Sequence, residues 1–310
     1  MKLIKPSYSI LDQKPGLDGI YEQIELAGRT CYKSKRPEGQ TAKDFVDRMI
    51  NSKHYAMLEH GTVYLKIRKG TYAYSHYVVV CEPDDDFMSS SRELSYRPYT
   101  KVNIQDDYIY VTTNYRVLVE NGWLNDLKYL CEPTEYHEKR VTVGFTTDRG
   151  VSHEFVRHRV FSFAQESTRY CNYSKDKFGN ELTFIIPSWY NKETDSAVKL
   201  KFLNYLTTTE GLYLDLLRGS YWAKKVIEGG ATYEKFENIE KVFAPLTPQQ
   251  ARQVLPNALK TELVMTGFVS DWEHFFDLRA RGTTGAPHPD AKALVEPLME
   301  EFIERGLINR

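Results

Sequence analysis

The spacing of apolar residues changes period several times along the chain. In residues 41–50, Phe45, Val46 and Ile50 recur at helical spacing, whereas in residues 61–68 Val63, Leu65 and Ile67 alternate with polar neighbours, so a helix followed by a half-buried strand is predicted. An aromatic and valine-rich run over residues 72–81 stops at the turn Pro83-Asp84-Asp85-Asp86. Residues 108–119 read as a strand and 123–130 as a helix. Val141, Val143 and Phe145 predict a strand over 139–147, and Val151, Phe155 and Val156 predict a helix over 149–159. From 196 to 227, Leu200, Leu203, Leu206, Leu212, Leu216 and Val226 fall at helical intervals, as one long helix or two in succession. A last helical stretch is predicted over 249–279, interrupted near Pro256. Strands interleaved with long helices, without regular strand-helix alternation, predict an α+β fold. No repeat, low-complexity tract or Gly/Ser linker marks a boundary, so residues 1–310 read as one domain.

Composition narrows the function classes. Forty-one basic residues against 42 acidic ones leave a formal charge of −1, too little for a global field that attracts nucleic acid or an anionic membrane. An anionic ligand must therefore be held by a local cluster. Residues 1–10 hold no stretch resembling a signal peptide, and no run approaches the roughly 20 apolar residues of a membrane span, so a cytoplasmic protein is expected. Cys31, Cys81, Cys131 and Cys171 lie far apart and form no pair at metal-ligand spacing; no metal site is expected, and they read as reduced, small core residues.

The most informative run is Arg157-His158-Arg159, followed after seven residues by Ser167-Thr168-Arg169-Tyr170. Arginine presents a planar fork of donors that fits phosphate bidentately and keeps its charge. Such a cluster, where a predicted helix gives way to a loop, suits a nucleotide phosphate or pyrophosphate. In an extended run Arg157 and Arg159 face one way and His158 the other. Two other readings stay open: a solvated basic face, against which the neighbouring Phe155, Phe161 and Phe163 argue, and single-stranded nucleic-acid binding, in which bases stack on aromatic side chains and arginines hold the backbone.

These residues resemble the signature of the flavin-dependent thymidylate synthases. Two further blocks are similar to that family in the same order: His54 with Leu58-Glu59-His60, and Ala251-Arg252-Gln253-Val254-Leu255-Pro256 with Phe275-Phe276-Asp277-Leu278-Arg279. The resemblance implies a central mixed or antiparallel sheet flanked by long helices, with a surplus relative to the family over about 83–136 read as an insertion. It implies a homotetramer with shared active sites and tightly bound FAD, which converts dUMP to dTMP with methylenetetrahydrofolate as methylene donor and NADPH as reductant. Arg157, His158, Arg159, Gln165 and His274 would contact FAD. Glu154, Arg157, Gln165, Ser167, Arg169, Arg252 and Arg279 would hold dUMP, with Arg169 and Arg252 as counter-charges to its phosphate. Arg279 would polarise the uracil, so that no cysteine nucleophile is needed; Cys171 is read as structural. His54 would lie near flavin and folate. Ser167, the third catalytic candidate, is read as a hydrogen-bonding group rather than a nucleophile.

Some positions depart from the pattern. In the segment Thr266-Gly267-Phe268-Val269-Ser270, where the family places an Asn and an Arg against FAD, this chain has neither, and Asn114-Tyr115-Arg116 is a candidate for the vacated role. The segment from Gly282 to Pro289 replaces the family's Ala-Gln pair, and its glycines and prolines predict an irregular loop. Two alternatives to the synthase follow: a flavoenzyme with altered pyrimidine-nucleotide chemistry, and a catalytically silent nucleotide- or RNA-binding protein.

Overall fold

The computed structural model describes residues 1–78, 99–218, 222–227, 230–235 and 245–309; Cys81 and the turn expected at 83–86 lie outside the described residues. In chain order the elements are β1 (Lys2–Ile4), β2 (Ser7–Ile10), α1 (Gly16–Tyr32), α2 (Ala42–Asn51), β3 (Thr62–Arg68), α3 (Tyr74–Tyr77), β4 (Lys101–Gln105), β5 (Tyr108–Asn114), α4 (Tyr115–Asn121), β6 (Arg140–Asp148), α5 (Arg149–Phe155), β7 (Ser162–Gln165), β8 (Thr183–Ile185), α6 (Ser196–Arg218), β9 (Trp222–Ile227), β10 (Gly230–Lys235), α7 (Pro248–Ala251), β11 (Lys260–Phe268), α8 (Val269–Phe276) and α9 (Pro289–Glu304). Short 3₁₀ turns at Tyr55–His60 and Arg252–Val254, and a π turn at Asp277–Arg281, carry residues used below. The chain divides into two compact units. The first comprises Met1–Pro6, Thr147–Ser152 and Glu166–Thr261, the second Ser7–Thr146, His153–Gln165 and Glu262–Arg310.

In the second unit, β2, β6, β11 and β7 form a four-stranded sheet in that order, with β2 antiparallel to β6 and β11 antiparallel to β7. A second, antiparallel sheet runs β3-β5-β4, with Thr62 opposite Asn114 and Arg68 opposite Tyr108. The alternation in β3 has a direct cause, since Val63, Leu65 and Ile67 are buried with Ile109 and Val111 of β5 beneath α1 and α2. Thr41 starts α2 with a capping box: its hydroxyl accepts from the Asp44 amide, and the Asp44 carboxylate accepts from the Thr41 amide. An aromatic cluster fills the space between β6 and the last helices, with Phe145 5.1 Å from Phe155 and Trp272 4.7 Å from Phe161, ring centre to ring centre.

In the first unit, β1 pairs with β8 in parallel, and β9 with β10 as an antiparallel hairpin. α6 buries Leu206, Thr209, Tyr213 and Leu217, one stripe at spacings of three and four, against Cys171, Tyr173 and Leu182.

The α+β expectation holds, with the strands spread over several sheets rather than one central sheet. Three segments depart from their predicted type. The helical run over 196–227 ends in strand β9, the run over 249–279 contains the nine-residue strand β11, and the strand over 108–119 gives way at residue 115 to α4. Of the region read as an insertion, residues 99–136 include β4 and β5, which extend the sheet begun by β3. Among the described residues no helix is long and apolar enough to cross a membrane, and no group of three or more His, Cys, Asp or Glu side chains is placed to hold a metal ion.

Candidate functional site

In the second unit α5 ends at the buried Phe155, and β7 starts just after the buried Phe161. Two tight turns join them: the His158 amide donates to the Phe155 carbonyl (3.1 Å) and the Phe161 amide to the His158 carbonyl (3.1 Å). This path turns His158 inward and leaves Arg157 and Arg159 exposed. The His158 ring packs edge-on against Phe275, 4.9 Å between ring centres. Arg279, on the π turn, then fastens the site. Its Nη1 donates to Glu154 Oε2 (2.7 Å), Nη2 to the Glu154 carbonyl (3.1 Å) and Nε to His158 Nε2 (3.1 Å).

Because Arg279 Nε is a donor, His158 Nε2 must accept, which assigns the neutral imidazole with its proton on Nδ1. The electrostatics agree. Burial, then the charges of Arg279 and His274, push the His158 pKa down to about 4. The Glu154–Arg279 pair lines an open cleft of about 470 Å³ together with Leu278 and residues 284–288, part of the irregular loop expected from the sequence. A guanidinium has five N–H donors, of which three are committed here. Held at the edge of a cleft, such a group can bind a carbonyl oxygen and stabilise negative charge that grows on it.

His274 lies on α8, exposed, its ring centre 6.3 Å from that of His158. Gln165 ends β7 opposite Leu263, and His54 is exposed just ahead of the 3₁₀ turn Tyr55–His60. His60 is fully enclosed: Nδ1 meets Thr266 Oγ1 at 2.8 Å, Thr266 meets Thr142 at 2.9 Å, and burial pushes its pKa down to about 3. Asn114 caps α4 by accepting from the Val117 amide. Arg116 pairs with Glu59 (2.5 Å) and Glu120 (2.8 Å). Both side chains are therefore engaged within the fold. Around Phe268 stand other cations, Lys101 5.5 Å and Arg140 5.6 Å from the ring centre, while the Ser270 hydroxyl donates to Glu138 Oε1 at 2.5 Å.

The remaining candidates belong to the first unit. Ser167 starts a tight turn: its carbonyl accepts from the Cys171 amide (2.9 Å) and its Oγ from the Arg169 amide (3.2 Å). Arg169 Nε donates to Gln249 Oε1 at 2.5 Å. Arg252 is exposed on the turn that follows α7, whose start is fixed by the capping box of Thr247 and Gln250. Sequence reasoning missed Glu166, a buried carboxylate that accepts from Tyr173 Oη (2.8 Å) and Lys260 Nζ (2.7 Å). The signal was parity, since Gln165 and Ser167 are half-buried and Glu166 between them is buried. It also named Glu154 and Arg279 without seeing that they pair.

Residues 132–305 match the family model of the thymidylate synthase complementing protein. A flavin-dependent thymidylate synthase of Corynebacterium efficiens is 35% identical over 136 residues, which cover 43% of this chain and 46% of that protein. One from Pyrococcus furiosus is 28% identical over 131 residues, 42% of each. The chain thus matches about half the length of these relatives. Among solved structures, the UMP/dUMP methylase PolB from Streptomyces cacaoi bound with 5-Br dUMP aligns with 98% of this chain and 93% of its own, at 12% identity and a TM-score of 0.42.

Proposed function

From the premise that the chain belongs to the thymidylate synthase complementing protein family, we propose that it is a flavin-dependent thymidylate synthase converting dUMP to dTMP. The observation that carries this reading is the three-point hold on Arg279 at the mouth of a cleft. Carbon 5 of uracil is a poor nucleophile. A guanidinium fixed at the pyrimidine edge stabilises negative charge on the ring as it develops and removes the need for a cysteine adduct. Glu154 and His158 keep that fork oriented, and a neutral His158 adds no competing charge.

The residues present fit a flavin dinucleotide. His158 is buried against Phe161 and Phe275, and the exposed Arg157 and Arg159 on either side of it present guanidinium groups suited to the phosphates of such a group. Arg157, His158, Arg159, Gln165 and His274 would hold FAD, with His54 near flavin and folate. When bound and reduced by NADPH, the flavin would supply the hydride that completes a methyl group from a methylene donated by methylenetetrahydrofolate. Gln165 and Ser167 would hydrogen-bond the nucleotide, and Arg169 and Arg252 would meet its phosphate, a dianion that cannot be desolvated unpaired. We place the enzyme in the cytoplasm as a homotetramer that shares its active sites.

The test is direct. Purified protein should show flavin absorbance and form dTMP from dUMP, methylenetetrahydrofolate and NADPH. A colourless protein that forms none overturns the reading. Phe268 and Ser270, engaged with Lys101, Arg140 and Glu138, favour one second reading, altered pyrimidine chemistry on the same scaffold. Flavin absorbance with a reduced or hydroxymethylated nucleotide as the product would select it.

A further inference from the structure

Arg140 opens β6 and belongs to none of the blocks that carry the family resemblance. Its guanidinium nevertheless meets each of the three stretches that hold the proposed flavin contacts, all of them in the second unit. Nη1 donates to the Glu59 carbonyl (3.1 Å) and to Thr62 Oγ1 (3.3 Å), Nη2 donates more loosely to Ser162 Oγ (3.5 Å), and the group lies 5.6 Å from the centre of the Phe268 ring. Glu59 stands on the turn that follows His54, Ser162 opens the strand that ends at Gln165, and Phe268 precedes the helix that carries His274.

Every acceptor in that set is neutral. Burial lowers the Arg140 pKa to about 10, opposed by Tyr64, Glu59 and Asp271. The two carboxylates already serve other donors, since Glu59 pairs with Arg116 and Asp271 accepts from the Phe268 amide. Of the five N–H groups of the guanidinium, one on Nε and one on Nη2 are left over among the described residues. Arg140 also lines a cavity of about 440 Å³ with Thr62, Tyr64, Lys139 and Thr142, which is room enough for a ligand to reach it. Lys101 stands 5.5 Å from the same Phe268 ring, so two cations gather where residues 266–270 contain neither Asn nor Arg. A cation drawn out of water among neutral groups is unfavourable until an anion joins it, and N–H groups on adjacent nitrogens fit two oxygens of one phosphate.

We propose that Arg140 is a flavin-binding residue that meets the phosphates of FAD, supplying from β6 the cation that residues 266–270 lack. The proposal rests on the flavin reading above and adds to it a determinant of flavin affinity outside the Arg157-His158-Arg159 run. The ligand class is a pyrophosphate diester, which a guanidinium fork can meet with two parallel bonds.

Fluorescence titration of the flavin-free full chain with FAD, repeated over a range of KCl concentrations, tests it together with the visible spectrum of the flavin at saturation. Arg140→Gln is expected to weaken FAD binding at least tenfold, to flatten its dependence on salt and to leave the spectrum of the bound flavin as in the wild type. Arg140→Lys keeps a charge without the fork and should fall between that variant and the wild type, which guards against misfolding of the glutamine variant. Wild-type affinity in either folded variant overturns the role of Arg140 and leaves the flavin reading standing. A loss with unchanged salt dependence, or with an altered spectrum at saturation, marks a residue that only ties the three stretches together and overturns it too. A wild-type chain that binds no FAD removes the underlying reading and the proposal with it.

Discussion

His158 is a weak base because burial, then the charges of Arg279 and His274, disfavour its protonated form. With its pKa held near 4 in the fold against about 6.5 when unfolded, the unfolded chain takes up the proton first as pH falls. This contribution to stability is complete above pH 6.5 and is lost between 6.5 and 4, on the order of 3 kcal/mol over the window. Thermal melts across that range should become shallower in His158→Gln, whose amide oxygen can still accept from Arg279, while the loss contributed by the buried His60 remains; an unchanged slope would show that His158 does not contribute. Arg279→Lys is expected to lower kcat by about 10² to 10³, as removal of an oxyanion-hole donor does, with a small change in melting temperature. One ammonium cannot reach the Glu154 carboxylate, the Glu154 carbonyl and His158 together. Near-normal turnover by the lysine variant would exclude the polarising role. At this scale the sequence named residue types, as in Arg157, His158, Arg159 and Arg279, and the structure adds that Arg279 and His158 touch. The sequence was silent on pairings, because the contact of Glu154 with Arg279 joins positions 125 apart.

Elements were legible where burial is one-sided. β3 and β6 each turn a row of apolar residues to the core, and the alternation shows in the sequence. β11 hides because Leu263–Phe268 is buried without a break, which leaves no period of two to read between helical neighbours. β9 hides because Val226 continues the helical spacing of the leucines before it. α1 was missed because Gln23 and Glu25 occupy buried positions, Glu25 being held by Arg29 and Arg36. One strand residue has no side chain for a steric reason: a Cβ on Gly267 would lie 2.5 Å from two carbons of the Phe161 ring. Gly267→Ala should therefore cost about 1–3 kcal/mol through overpacking at the junction of β11 and β7. Chemical denaturation would measure it, and an unaltered midpoint would mean that the Phe161 ring can move aside.

At the scale of the whole molecule the near-zero net charge permits close approach of identical chains. α6 offers such an approach a surface. Val198, Tyr205 and Leu212 recur every seventh residue on its outer side, each about half exposed. The proposed tetramer would cover such a row, so Tyr205→Glu with Leu212→Glu should yield smaller species in native mass spectrometry; an intact tetramer would place the contact elsewhere. The hold on Arg279 has a further consequence. Its Nε bond ends on the middle residue of the arginine-histidine-arginine run, so a ligand that displaces His158 also loosens the guanidinium, and one that draws Arg279 away frees the imidazole. Thermodynamic linkage makes that influence reciprocal: whatever factor the proposed nucleotide would impose on flavin affinity, the flavin would return on the nucleotide.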